Sequence, residues 1–252
     1  MVSKIFFIAA TFLSFLLSSC NKEAENFPKG IIDKMQSRKS DNFKTTIPNP
    51  NPVPSLNEIT NVSELIIRLT SADERWRPKI ITMANGSKRY TYQKRINEGT
   101  LTLDEVKERM KNPMNFEAEK TAIAQLFEKL RSLGVSIVIG ETHSIQAVGT
   151  WSPSSNRIIL RQLLVDNGTL DFHEALSHEA IHVAQSCASG SINNKPRPLG
   201  LHLKYSVSID QKVSHPLYAI NFEDSLQIER EAYSHSSEPG KALKLLDHYC
   251  NL

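Results

Sequence analysis

His178-Glu-Ala-Ile-His182 sits inside the apolar run Leu176 to Cys187, and this stretch decides how the chain is read. On an α-helix, residues four apart lie on one face, so the two imidazoles can grip one metal ion from the same side. Glu179, beside the first histidine, is then within reach of a water on that metal. Ala180, Ile181, Val183 and Ala184 surround the histidines with apolar side chains, so a buried helix is expected. Two histidines and a glutamate are costly to bury unless something uses their polarity. The plain alternative is a pair of helix histidines satisfied by hydrogen bonds alone.

A hydrolytic zinc site keeps three protein ligands and one open position for water. Zinc acidifies that water and polarises the carbonyl under attack. Glu179 is placed to take the water's proton and pass it to the leaving amine. His178 and His182 supply two ligands. An HExxHxxGxxH continuation would need glycine at position 185 and histidine at 188; the chain has Gln185 and Ala188, which removes that class. The third ligand is therefore sought in Gln227-Ile-Glu-Arg-Glu-Ala-Tyr-Ser-His235. Glu229 and Glu231 lie about 200° apart around a helix, so only one can face the metal. Glu229 shares its side with Leu226, Ala232 and Tyr233, whereas Glu231 lies toward Gln227, Ser234 and His235. Glu229 is favoured, and Glu231 is then expected to be a solvated helix residue. Asp224 and His235 are remoter candidates.

The segment Ser177 to Gln185, followed by Glu229-Arg-Glu-Ala-Tyr233, resembles the gluzincin group of zinc metallopeptidases in a compact form. The resemblance covers little beyond the two motif helices and the strands before the first. It implies a zincin-like fold, one zinc per chain held by His178, His182 and Glu229, and a peptide or protein substrate. It also implies that substrate lies along the edge strand beside the active helix, which would be about Arg157 to Leu160. Many gluzincins carry an aspartate four residues after the ligand glutamate; here that position is Tyr233. Tyr205, His215 and Tyr218 are the candidate donors to a transition state. Two other readings use the same motif: a non-catalytic zincin-like lipoprotein that binds or supports something, and a zinc amidase acting on cell-wall peptides.

Upstream, Lys4 is followed by Ile5 to Leu17 without a charge, then Leu17-Ser-Ser-Cys20. A basic residue before a short apolar core has the shape of a secretory signal, and the run is short for a membrane span. The four residues ending at Cys20 resemble a bacterial lipobox, which implies cleavage before Cys20 and lipid on its sulfur. An ordinary cleaved signal and an uncleaved anchor are the alternatives. Residues 1–19 are read as the signal, 20–54 as lipid attachment site and tether, and 55–252 as the folded domain. The spaced prolines at 48, 50, 52 and 54 suit an extended, solvated spacer. The expected location is the bacterial cell envelope, facing away from the cytoplasm. With Cys20 lipidated, Cys187 and Cys250 remain as a pair, either a disulfide or two buried thiols. The net charge of +3 gives no argument for nucleic acid, and basic residues are scattered, without a strong single-sided run.

The expected fold is α+β: a small antiparallel sheet packed on the buried HExxH helix, with further helices. Ser55 to Glu58 reads as a cap for a helix whose face is Leu65, Ile66 and Leu69. Thr102-Leu-Asp-Glu105 is a clearer capping box. Ile123, Leu126, Phe127 and Leu130 stripe a helix from about Phe116 to Leu133, with Gly134 as its stop. Val135–Ile139, Ile145–Trp151 and Arg157–Leu160 are strands, the last two joined by a turn at Pro153–Asn156. Asp171 to Glu174 is read as the start of the motif helix. His173 falls on another helix face from His178 and is not read as a ligand, and Trp76 and Trp151 read as core aromatics.

Overall fold

Helix Thr169–Ala188 runs through the middle of the protein, and from Leu176 to Cys187 every residue is buried. The computed structural model describes residues 57–95, 98–142, 147–204, 209, 213 and 223–250. In chain order the elements are β1 (Asn57–Glu58), α1 (Val62–Asp73), a 3-10 turn (Glu74–Trp76), β2 (Lys79–Thr82), β3 (Lys88–Thr91), α2 (Leu103–Lys111) and α3 (Glu117–Ser132). They continue with β4 (Ser136–Ile139), β5 (Gly149–Ser152), β6 (Arg157–Leu160), α4 (Gln162–Asn167) and the central helix α5 (Thr169–Ala188). Last come α6 (Glu223–His235) and α7 (Lys241–Tyr249). This is an α+β arrangement. The signal segment, Cys20 and the tether lie outside the described residues. Among those described, no helix is long and apolar enough to cross a membrane.

Apolar periodicity builds the core. Ile123, Leu126, Phe127 and Leu130 of α3 face Phe172, Leu176, Ile181 and Ala184 of α5, with Leu245 and Leu246 of α7 closing the layer. Ile137, Ile158, Leu160 and Trp151 bring the sheet onto the same cluster. Each such side chain contributes roughly 1.5–3 kcal/mol on leaving water. The sheet, the core and the cross-link described below all come from residues within Pro50–Leu252, so this unit carries its own hydrophobic core.

The helix ends follow local chemistry where the sequence signals were strong. Thr102 and Glu105 form the capping box at the start of α2. Gly134, at φ 77°, ends α3: its N–H donates to Arg131 O and the Val135 N–H to Leu130 O, at 2.9 Å each. These are the paired bonds of a Schellman stop, which needs a left-handed residue at that position.

Three expectations need correction. The cap read at Ser55 to Glu58 is not where α1 starts; Ser55 and Leu56 lie outside the described residues. Asn57 and Glu58 instead pair with Ile139 and Val138 of β4, and the Asn61 side chain caps α1 by accepting from the N–H groups of Ser63 and Glu64. Asp171 does not start α5. That work falls to Asp73, which accepts from the Thr169 N–H at 2.9 Å and the Thr169 hydroxyl at 2.6 Å, while Asp171 pairs with Arg95 at 2.8 Å. Finally, the sheet is mixed rather than antiparallel.

Its order is β1-β4-β6-β5, with β4 and β6 parallel and the other neighbours antiparallel. The chain leaves β4, runs past the place that β6 will take, forms β5 outside it, and folds back through the turn Pro153–Ser155. Arg157–Leu160 is thereby an inner strand, and the open edge belongs to β5. A strand's own alternation fixes which residues face the core but not which neighbour it takes.

Cys187, near the end of α5, is disulfide-bonded to Cys250, with Cα atoms 5.2 Å apart. The bond fastens the residue after α7 to the central helix.

Candidate metal centre

Helix α5 presents His178 and His182 toward α6, which packs alongside it. Their Nε2 atoms are 3.0 Å apart. Glu229 of α6 completes a triangle, with Oε2 at 3.2 Å from His178 Nε2 and Oε1 at 3.5 Å from His182 Nε2. Tetrahedral zinc, with bonds of about 2.0–2.1 Å, separates its donor atoms by roughly 3.3–3.4 Å. Among the described residues, these are the three whose donor atoms cluster closely enough to hold a metal ion.

Electrostatics describe the same convergence. Burial disfavours charge on His182, but the Glu229 carboxylate against it prevails and raises it to about 9. Burial would likewise raise the Glu229 carboxyl, yet His182 and His178 hold it well below the usual carboxylate range. A buried carboxylate here requires a positive partner on the histidine side. Two atoms at the centre, Glu229 Oε2 and His178 Nδ1, are buried without a hydrogen-bond partner. A cation among the three donors would satisfy the first of them. The donor set of two imidazoles and one carboxylate suits zinc.

The site has support behind it that the sequence reading missed. His182 Nδ1 lies 2.7 Å from Gln185 Oε1. The Gln185 amide orientation is fixed at its other end, where Nε2 donates to Ile228 O at 3.1 Å and to Glu231 Oε2 at 3.0 Å. His182 Nδ1 must therefore carry the proton, leaving the Nε2 lone pair for the metal side. Glu231 is held in turn by the backbone N–H groups of Leu199, Gly200 and Leu201 at 2.8, 2.8 and 3.1 Å. Glu231 is thus fully buried and not a solvated residue as expected. The other glutamate of the pair became a brace. A carboxylate two residues from the ligand, with glutamine at position 185, is a signal available only once α5 and α6 are known to touch.

His178 is supported differently. The Tyr233 ring packs on its imidazole with centroids 4.3 Å apart, in the place where the resemblance puts an aspartate. His235 is not part of the cluster: its Nε2 lies 2.9 Å from His202 O. His173 is a core residue, bonded to Ser177 Oγ at 3.2 Å. Tyr205, His215, Tyr218 and the side chain of Asp224 lie outside the described residues.

Glu179 is buried beside the cluster and accepts from the Trp151 N–H of β5. Burial lifts its carboxyl above the usual range, and the adjacent histidines only partly oppose this. The edge strand is shaped around it. A Cβ on Gly149 would stand 2.7 Å from Glu179 Oε1, so only glycine lets the strand lie this close. Trp151, on the same face, donates its indole N–H to Ser186 Oγ at 3.0 Å and fixes β5 to the helix.

A domain of unknown function, DUF8637, matches residues 165–251. That span runs from the end of α4 to beyond α7 and holds His178, His182, Glu229, Gln185, Glu231 and both cysteines. No curated protein and no solved structure matches the chain.

Proposed function

We propose that this chain is a zinc-dependent peptidase with a zincin-like fold, tethered to a membrane through Cys20 and working outside the cytoplasm. The observation that carries the catalytic reading is the convergence of His178, His182 and Glu229 with a buried fourth group, Glu179, beside them. Zinc held there would supply a Lewis acid and an acidified water. His178, His182 and Glu229 would hold the ion, with His182 kept in the correct tautomer by Gln185. Glu179 takes a proton onto its carboxylate and returns it to the leaving amine. Its burial favours the first half of this step, because a carboxylate whose pKa is raised by desolvation is a stronger base toward the water's proton.

The substrate strand belongs on β5 rather than β6. Arg161 N–H donates to Val148 O, and the register pairs Thr150 with Ile159, so these are the residues bonded across the ladder. Gly149 and Trp151 alternate with them and turn their backbone groups to the open edge. An extended peptide pairing there would lie against Glu179.

A second reading, a metal-binding domain without turnover, draws on Tyr233 at the aspartate position and on the Glu179 bond to the Trp151 N–H. Purified protein separates them. The peptidase reading expects about one zinc per chain, cleavage of an unbiased peptide library, and loss of cleavage with retained zinc in Glu179→Gln. Zinc without cleavage by the unaltered protein selects the second reading. Metal-free protein that folds identically with both histidines changed to alanine ends both.

A further inference from the structure

The hairpin β2–β3 stands apart from the main sheet as its own two-stranded unit. β2 is exposed along its whole length, with Ile80, Ile81 and, just after it, Met83 at 42, 48 and 42 %, while Tyr90 and Thr91 of β3 are half-buried. A two-stranded hairpin with so little of its apolar surface covered gains little from burial and is marginal alone. Its charge is as one-sided as its exposure. Between Glu74 and Glu98 the chain has seven Lys or Arg and no Asp or Glu. These cations lie on the hairpin and its two flanks. Arg77 pairs with Glu74, and Arg95 with Asp171 and Asp73. Lys79, Lys88, Arg89 and Lys94 take part in no ion pair among the described residues.

The cross-strand register places aliphatic and cationic residues together on each face. Ile81 lies opposite Arg89, and Thr82 opposite Lys88 with Ile80 two residues before it. Aliphatic side chains flanked by unneutralised cations match the boundary of an anionic bilayer, where the apolar groups leave water and the cations meet headgroup phosphates. A nucleic-acid surface would instead offer exposed aromatic rings for stacking; Tyr90, opposite Ile80, is half-buried, and the exposed apolar residues of the hairpin are aliphatic.

The hairpin is anchored firmly to the body. Trp76, just before β2, donates its indole N–H to Asn167 O at 2.7 Å, and its ring packs against the guanidinium groups of Arg75 and Arg95 at 4.9 and 4.5 Å from the centroid. Arg95, after β3, reaches Asp171 in the first turn of α5. A surface held by the hairpin would thus bear on the N-terminal end of α5, about 14 Å along the helix from His178.

We infer that the β2–β3 hairpin docks the domain onto an anionic lipid bilayer through Ile80, Ile81 and Met83 with Lys79, Lys88 and Arg89. This inference is independent of the metal centre and of lipid on Cys20. The test is flotation of residues 50–252 with vesicles of phosphatidylcholine alone or mixed with phosphatidylglycerol. Binding is expected only to the mixed vesicles, and salt should release it. Each cation near the surface is worth about five-fold in partition. Lys79→Ser, Lys88→Ser and Arg89→Ser together should therefore lower partition by roughly a hundred-fold, and Ile80→Ser with Ile81→Ser should lower it at unchanged charge. Unchanged thermal unfolding of the variants shows that the fold persists. The inference is overturned by no binding to the mixed vesicles, by equal binding to both, or by aliphatic variants that bind as before. Binding of soluble polyphosphate as tightly as the mixed vesicles, insensitive to Ile80 and Ile81, would overturn it in favour of an acidic polymer.

Discussion

Gln185 connects two groups that the linear sequence leaves unrelated: its Oε1 faces His182 Nδ1 at 2.7 Å while its Nε2 donates to Glu231 at 3.0 Å. The brace sets which imidazole nitrogen is available for a metal. It also makes Glu231, held by three backbone N–H groups, a fixed post on which that orientation rests.

Gln185→Ala is expected to weaken zinc binding by about 10–100-fold, the usual cost of losing a partner of a ligating histidine. Chelator competition measures it, with circular dichroism showing that the helices persist. Unchanged affinity would mean that Gln185 only ties α6 to α5.

Gly149→Ala places a Cβ against Glu179 Oε1 at a distance no carboxylate tolerates unmoved. Either β5 retreats or Glu179 turns away. On the proposed peptidase reading, cleavage should fall by tenfold or more with zinc content unchanged, because the atoms nearest the new methyl group belong to Glu179 and Leu160 and not to a ligand. Parallel measurement of turnover and bound zinc decides it; a variant that loses both equally would show a general collapse instead.

Cys187 and Cys250 are 63 residues apart in sequence. A cross-link closing a loop of that length restricts the unfolded chain and is worth about 2–4 kcal/mol. Replacing both by serine should lower the denaturant midpoint accordingly. Reductant should lower that of the unaltered protein and leave the double variant unmoved.

His173 gives a pH dependence whose sign is fixed. Burial pushes the imidazole below its ordinary value of 6.5, with Glu119 opposing only weakly. The unfolded chain therefore binds more protons than the folded one in the window beneath 6.5. Stability is full above that value and is lost as pH falls through it toward the depressed folded value. His173→Gln should flatten this acid limb relative to the unaltered protein. Unfolding midpoints recorded between about pH 7 and pH 5 test it, because an ordinary histidine titrates there.

Much of the site was legible because its parts are local. The four-residue spacing of His178 and His182 places both on one face of any helix, and the flanking Ala180, Ile181 and Val183 require that helix to be buried. The capping box at Thr102, the stripe of α3 and its stop at Gly134 are likewise short-range and appear as read. The choice of Glu229 over Glu231 also followed from helix faces, but the reading of Glu231 as solvated failed. Its polar neighbours Ser234 and His235 are buried too, because the segment around Leu199 to Leu201 covers that side of α6. A helical wheel contains no information about a loop 30 residues away.

The sequence alone determined the central helix, its two histidines and the glutamate between them, because backbone geometry converts spacing directly into shared faces. Only the tertiary structure decided what surrounds them. It set β5 as the open edge and gave the start of α5 to Asp73, 96 residues before Thr169. It joined Glu231 to His182 through Gln185, and kept the hairpin that carries Lys79, Lys88 and Arg89 out of the main sheet. Each of these depends on which elements pack together, and packing is chosen by the whole chain's burial of apolar surface rather than by any one segment's pattern.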